Sequence, residues 1–245
     1  MKTQEKKQKT LKMVELAILL ALVVVRQSIS SFGVVTICLC LVPITLGAMV
    51  LGPKGGAALG FAFGIIAAFW GIVGKDGFTF LLFSANPVMT IIICLVKGTM
   101  AGLVSALLYK WISKGNFKGS KLVASIVAGI AAPVVNTGFF VIGCLIIKED
   151  VVSVCSSLGL DTSNYIALLF LSLIGVNFFV ELLVNVIFAP ALNKVTGVIE
   201  KLTTKNKPTQ KKETIPAQDS YENVQLVDEN TTETEDNALA KDTEE

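Results

Sequence analysis

Long apolar runs alternate with short polar interruptions along this chain. Several runs reach about 20 residues, the length that a helix needs to cross a hydrocarbon core of roughly 30 Å. The pattern predicts an all-α integral membrane protein in which six transmembrane helices form a compact bundle. The predicted spans are residues 13–25, 34–51, 55–73, 87–112 and 122–147, with a sixth from about Tyr165 past Pro190.

The second and third runs meet at a glycine-rich hairpin. The turn Gly52-Pro53-Lys54 leaves room only for a tight reversal of the chain. Glycines recur every four residues from this turn onward, which places them on one helical face and lets another helix approach closely. We expect this face to shape the bundle rather than to touch a ligand. The four glycines are Gly52, Gly56, Gly60 and Gly64.

The polar interruptions predict loops at residues 28–33, 74–77 and 148–164. Residues 78–84 are apolar and aromatic but too few to cross a membrane, so they are predicted to form an interfacial or re-entrant piece. The fourth helix is expected to begin at Pro87, because proline is favoured in the first turn of a helix.

Composition supports a membrane protein with polar ends. Of 245 residues, 53% are hydrophobic and 16% are charged, whereas a soluble domain carries roughly 25% charged residues. Residues 1–212 have a net charge of +12 and residues 213–245 a net charge of −10. We therefore expect a basic N-terminus at 1–12, a membrane domain at 13–202 and a disordered, largely acidic tail at 203–245.

The positions of the lysines predict the orientation. Lysines concentrate in the N-terminus, the hairpin turn, the loop at 110–121 and the start of the tail. All four elements fall on one side when six spans alternate across the membrane. Because positive loops face the cytoplasm, both termini are predicted to be cytoplasmic.

Several classes of chemistry are excluded. The chain has no histidine, which removes the commonest general base and the commonest metal ligand. Its five cysteines lie mostly in apolar runs and show no metal-binding spacing. Residues 71–75 lack the full P-loop pattern, so we expect no ATP hydrolysis by this chain. No enzymatic activity, metal, cofactor or nucleic-acid partner is expected.

Polar side chains at membrane depth are the candidate functional groups, because such residues are costly there and usually face a cavity or each other. One reading is a pocket open to the outside, in which Lys97 is a counter-charge for a small polar molecule. The alternative is a structural ion pair between Lys97 and Glu181, with the asparagines linking helices. The residues at this depth are Lys97, Asn136, Thr137, Asn177, Glu181 and Asn185.

The first helix carries a candidate contact face for a partner. Ala17 and Ala21 are four residues apart and form a small-residue pair suited to close helix contact, although alanine is common in membrane helices. Arg26 follows near the helix end, where it either snorkels to the interface or faces a polar cavity.

Residues 10–200 resemble the substrate-binding (S) component of an energy-coupling factor (ECF) transporter. The first two features that carry the resemblance are the pair Ala17-x-x-x-Ala21 and the hairpin VPITLGAMVLGPKGGAALGFAFG. The third is Asn86-Pro87 at the start of the fourth helix. The fourth is Asn177-FFV-Glu181 followed by Ala189-Pro190-Ala191. The hairpin is most similar to members that take up pantothenate.

The resemblance implies a subunit of the bacterial cytoplasmic membrane that binds a vitamin, best matched by pantothenate, from outside. It implies that Ala17 and Ala21 dock on a membrane coupling (T) subunit, which associates with two ATPases. Hydrolysis of ATP by those partners would topple this component and release the substrate. Segments 28–33 and 74–84 would close over the substrate. The expected substrate-binding residues are Lys97, Asn136, Thr137, Asn177, Glu181, Asn86 and Arg26.

Three alternatives remain open on the sequence. The substrate could be another vitamin, such as riboflavin, folate or a thiamine precursor. The chain could be a membrane scaffold whose polar residues only hold helices together. It could also be a channel or secondary carrier that transports without partners.

Overall fold

The computed structural model describes residues 2–29, 40–170 and 175–205, and within these ranges the regular structure is helical. This agrees with the predicted all-α class. The helices in chain order are α1 (Lys2–Ile29), α2 (Leu41–Val73), α3 (Gly77–Ala85), α4 (Pro87–Ile112), α5 (Ser120–Ile146), α6 (Lys148–Ser157), α7 (Tyr165–Ala167) and α8 (Gly175–Lys205).

The α2 element is a hairpin that reverses at Gly52. This glycine has φ 74° and ψ −166°, a conformation that L side chains rarely adopt, and Pro53 follows it inside the element. A Cβ built on Gly56 would lie 3.1 Å from the Cα of Ala48. In a straight helix, residues eight apart are separated by about 12 Å, so the chain must fold back. The predicted reversal at residues 52–54 is confirmed.

The glycine face of α2 packs directly on the backbone of α4. A Cβ on Gly56 would lie 2.5 Å from the carbonyl oxygen of Gly102, and one on Gly64 would lie 2.5 Å from that of Cys94. Gly60 meets Gly98 between them. The numbering rises on one helix as it falls on the other, so the helices are antiparallel. Gly52 is the exception among the four predicted glycines, because it forms the turn and not the contact.

Helices α4 and α5 begin where the apolar runs predict, and polar contacts fix their ends. Asn86 caps α4 by accepting a hydrogen bond from the Met89 N–H at 3.2 Å. An ion pair joins Lys121, at the start of α5, to Glu200, near the end of α8. Helices α5 and α8 therefore run antiparallel.

Four of the described helices are long and apolar enough to cross a membrane: α2, α4, α5 and the part of α8 at Asn177–Lys201. These helices are those of an integral membrane protein. Helix α1 is not among the four, and α2 counts once although it folds back. Residues 34–39 of the predicted second span and residues 171–174 of the predicted sixth span lie outside the described residues. Six spans and cytoplasmic termini therefore stay predictions.

One predicted loop and the predicted interfacial or re-entrant piece both contain helices. Residues 148–157, expected in an acidic loop, form α6, which buries Val151 and Cys155 one turn apart. Residues 77–85 form α3, capped by Asp76, whose carboxylate accepts a hydrogen bond from the Thr79 hydroxyl at 2.7 Å. A short polar segment such as α6 forms a helix when one face finds a core to cover, which the composition of a loop does not reveal.

Helices run across both predicted borders of the membrane domain. Helix α1 extends through the predicted basic N-terminus, from Lys2. Helix α8 continues to Lys205, so residues 203–205 are helical although the tail was expected to begin at 203. Of the loop predicted at 28–33, Ser28 and Ile29 belong to α1. Residues 30–33 and the tail from 206 to 245 lie outside the described residues.

Candidate functional site

The antiparallel packing of α5 on α8 decides which polar residues lie at the same level. The Ser125 hydroxyl lies 3.4 Å from Asn193 Oδ1, and a Cβ on Gly129 would lie 3.1 Å from the carbonyl oxygen of Asn185. Asn136 is two turns beyond Gly129 on α5. The segment 177–181 lies one to two turns back from Asn185 along α8. Asn136 is therefore level with that segment.

On α8, the Glu181 carboxylate is the centre of the polar face. Glu181 is 3% exposed, and one of its oxygens accepts a hydrogen bond from Asn177 Nδ2 at 3.2 Å. Asn185 has a different use, because its Nδ2 donates to the Glu181 backbone carbonyl at 2.9 Å and its Oδ1 lies 3.4 Å from the Thr45 hydroxyl. Asn185 thus ties α8 to α2.

Two amide oxygens near Glu181 have no hydrogen-bond partner among the described residues. They are Oδ1 of Asn136 and Oδ1 of Asn177, and both atoms are buried. A buried acceptor without a partner costs about 1–3 kcal/mol, so buried polar atoms are normally paired. These two oxygens are suited to accept hydrogen bonds from a bound molecule.

Lys97 extends from α4 toward the face of α5 that carries Asn136 and Phe140. Its ammonium lies 4.4 Å from the centre of the Phe140 ring, and Phe140 is one turn beyond Asn136 on α5. An ammonium over an aromatic face is held by the ring quadrupole. The arrangement places a cation beside the polar face, where it can attract an anionic group.

The other predicted ligand residues have different surroundings. Asn86 uses both ends of its amide in the fold, since its Oδ1 caps α4 and its Nδ2 donates to Asp150 Oδ2 at 2.9 Å. Thr137 is half-buried beside Asn136 on α5. Arg26 is half-buried near the end of α1. Thr137 shares the level of Asn136, whereas the contacts of Asn86 keep it at the start of α4, eleven residues before Lys97.

The face of α1 that carries Ala17 and Ala21 is open. Both alanines are exposed. The opposite face of α1 is buried through Leu19 and Val23, which belong to the same core cluster as Leu41 and Leu59 of α2. Since one side of α1 holds the helix on the bundle, the alanine side is free for a partner or for lipid.

Phe140 was missed at the sequence level. The available signal was its position four residues after Asn136, which puts both residues on one face of α5. An aromatic residue in an apolar run looks the same in the sequence whether it packs in the core or contacts a site. Its role depends on the relative register of α4 and α5, and the sequence pattern does not define that register.

Comparison with known protein families identifies a family for this chain. A family model described as "ECF transporter, substrate-specific component" matches residues 11–193, which is more than half of the chain. No curated protein matches the chain.

Proposed function

The chain belongs to the family of ECF transporter substrate-specific components, and we propose that it captures pantothenate for an ECF importer. Members of this family bind a substrate for transport, and the family is not a family of enzymes. In this proposal the chain lies in the cytoplasmic membrane of a bacterium with both termini inside. It binds the vitamin from the outside, at a site between α4, α5 and α8.

The observation that carries the proposal is the pair of buried oxygens on Asn136 and Asn177, which have no hydrogen-bond partner among the described residues, at the level of α5 one turn from the Lys97–Phe140 contact. Pantothenate carries hydroxyl and amide donors as well as a carboxylate. Its donors can satisfy the two amide oxygens, and its carboxylate can pair with the ammonium. Glu181 orients the Asn177 amide through the hydrogen bond to Nδ2.

Three further residues complete the proposed site. Thr137, beside Asn136, offers a hydroxyl to the ligand. Arg26 supplies a second cation that can attract an acid toward the site. Asn86 acts at the start of α4, where its bond to Asp150 holds α6 beside that helix. Thr137 and Arg26 act on the ligand directly, whereas Asn86 acts through the position of α6.

The exposed face of α1 supports a docking role in the proposed transport cycle. Ala17 and Ala21 would seat against a helix of the membrane coupling subunit, because small side chains allow close approach. Two ATPase subunits bound to that coupling subunit would hydrolyse ATP. The hydrolysis would topple this component in the membrane and release the substrate into the cytoplasm.

Titration calorimetry tests substrate capture. The purified full chain is titrated with pantothenate, riboflavin, folate and a thiamine precursor. We expect saturable binding of pantothenate and its loss in Asn136→Leu. Asn193→Leu is the matched control, since Asn193 is level with Ser125 and far from the site. Saturable binding of another vitamin would identify that vitamin as the substrate in place of pantothenate. Titrations that show no binding of any of the four compounds would refute substrate capture.

A scaffold role is the second candidate, and the bonds of Asn185 favour it. Asn185 links α8 to α2 without any ligand, so the other asparagines could serve the same purpose. This candidate predicts that Lys97→Ala and Asn177→Ala lower stability without changing uptake in cells that express the coupling subunits. Transport by vesicles that contain this protein alone would instead indicate a self-sufficient carrier.

A further inference from the structure

Two buried hydroxyls on the C-terminal half of α4 have no hydrogen-bond partner among the residues that the structure describes. They are Ser105 Oγ and Tyr109 Oη. Ser105 is fully buried and Tyr109 is 6% exposed. Ser105 lies eight residues beyond Lys97, or about 12 Å along α4, so the pair is separate from the proposed substrate site.

These two hydroxyls differ from the other buried hydroxyls of the described chain. A buried serine or threonine in a helix commonly donates to the carbonyl four residues earlier. Such bonds of 2.7–2.9 Å are made by Thr45, Thr90, Ser125 and Thr196. The buried phenol of Tyr165 donates to the Cys144 carbonyl at 2.6 Å. Ser105 and Tyr109 make no comparable bond.

The buried side chains packed around Tyr109 are apolar, and the Glu200 carboxylate is near enough to act electrostatically on its phenol. Tyr109 belongs to a buried cluster with Met49, Ala124, Ala128 and Leu192. The alanines of α5 in this cluster present single methyl groups, which offer no hydrogen bond. Without another partner, each hydroxyl would carry the cost of an unsatisfied buried group.

The spacing of the two residues points to one shared partner. Residues four apart on a helix lie on the same face, and long side chains lean toward the N-terminal end of the helix. The Tyr109 ring therefore extends over the turn that carries Ser105. We propose that Ser105 Oγ and Tyr109 Oη hold a water molecule between them, inside the bundle of α4, α5 and α8.

A bridging water satisfies both hydroxyls. Buried waters typically make about three hydrogen bonds to otherwise unpaired polar groups. The water can accept from one hydroxyl and donate to the other, because a hydroxyl does both. The site is independent of the vitamin and exists with or without substrate.

X-ray radiolytic footprinting of the full chain in lipid nanodiscs tests the proposal. Radiolysis in water labelled with oxygen-18 marks side chains next to bound water. We expect Tyr109 to be labelled several-fold more than Tyr165, the matched control, which is equally buried but bonded to the protein. Ser105→Ala should reduce the labelling of Tyr109. Equal labelling of the two tyrosines, or labelling of Tyr109 that Ser105→Ala leaves unchanged, would overturn the proposal.

A double-mutant cycle gives an independent readout. Ser105→Ala and Tyr109→Phe should each lower the melting temperature, because each leaves one hydroxyl and its water with a partner missing. The double variant removes both hydroxyls, so its shift should be smaller than the two single shifts added. Additive shifts would contradict a shared water.

Discussion

The ammonium of Lys97 lies 4.4 Å from the centre of the Phe140 ring. This contact joins α4 to α5 one turn from Asn136. A cation–π contact is worth about 0.5–2 kcal/mol, depending on how far it is desolvated. It holds the positive charge at the level where the proposed carboxylate of the substrate would lie.

Replacing Lys97 by methionine should weaken binding of an acidic substrate. A hydrogen bond to a charged group contributes about 1.5–3 kcal/mol, so we expect a loss of about 10- to 100-fold in affinity for pantothenate. Methionine keeps much of the side-chain length and its apolar packing on Phe140. Calorimetric titration of the purified variant measures the change.

Pantothenol, in which an alcohol replaces the carboxylate, is the control ligand for this prediction. It has no charge to pair with the ammonium, so Lys97→Met should bind it about as well as the original protein does. Equal losses for the acid and the alcohol would show that Lys97 acts through packing or stability and not through charge.

Adding a methyl group at Gly60 should damage the contact between α2 and α4. A Cβ there would overlap the backbone carbonyl of Gly98, which cannot move without shifting the helix. Overpacking of this kind costs about 1–3 kcal/mol. We expect Gly60→Ala to melt at a lower temperature in detergent.

Gly138 provides the matched helical control. A Cβ on Gly138 would have no neighbour within 4 Å among the described atoms. Gly138→Ala should leave the melting temperature unchanged or raise it, since alanine favours a helix over glycine by up to about 1 kcal/mol. Similar destabilisation by both substitutions would argue against the close α2–α4 contact.

A bulky residue on the open face of α1 should separate binding from transport. We expect Ala17→Trp and Ala21→Trp to abolish uptake in cells that contain the coupling subunits, because the indole blocks close helix approach. Binding of substrate to the purified variants should be retained. Ala191→Trp, at an exposed alanine of α8, is the control and should support uptake. Loss of binding with the complex still assembled would refute the docking role.

The Asn86 amide serves two contacts that mutations can separate. Asn86→Ala removes both the cap of α4 and the bond to Asp150, whereas Asp150→Ala removes only the latter. Because loss of an N-cap costs about 1 kcal/mol, Asn86→Ala should melt at the lower temperature of the two. Identical melting temperatures would show that the cap contributes nothing measurable.

The sequence predicts the parts of this fold that depend on local chemistry. Gly52-Pro53 marks the reversal, because only glycine adopts its backbone conformation freely and proline suits the following first turn. Asn86-Pro87 marks the start of α4 for a similar reason. The glycines at 56, 60 and 64 predict a close helix contact, although the sequence does not say that α4 makes it.

Features that depend on tertiary register could not be predicted in the same way. The link between Lys97 and Phe140 requires that α4 and α5 align at one level. The different uses of Asn177 and Asn185 depend on what faces each amide, although both lie on the same helical face as Glu181. Helix α6 forms where a polar stretch finds a core for Val151 and Cys155.

The central claim, that the level of Asn136 and Asn177 binds a small polar acid, is tested most directly by mass spectrometry of what the protein carries. The full chain and its Asn136→Leu variant are purified from cells in mild detergent, and the small molecules released on denaturation are identified. We predict that pantothenate is enriched with the original protein and lost from the folded variant. An equal amount of the same compound in both samples, or none in either together with flat titrations, would contradict the account.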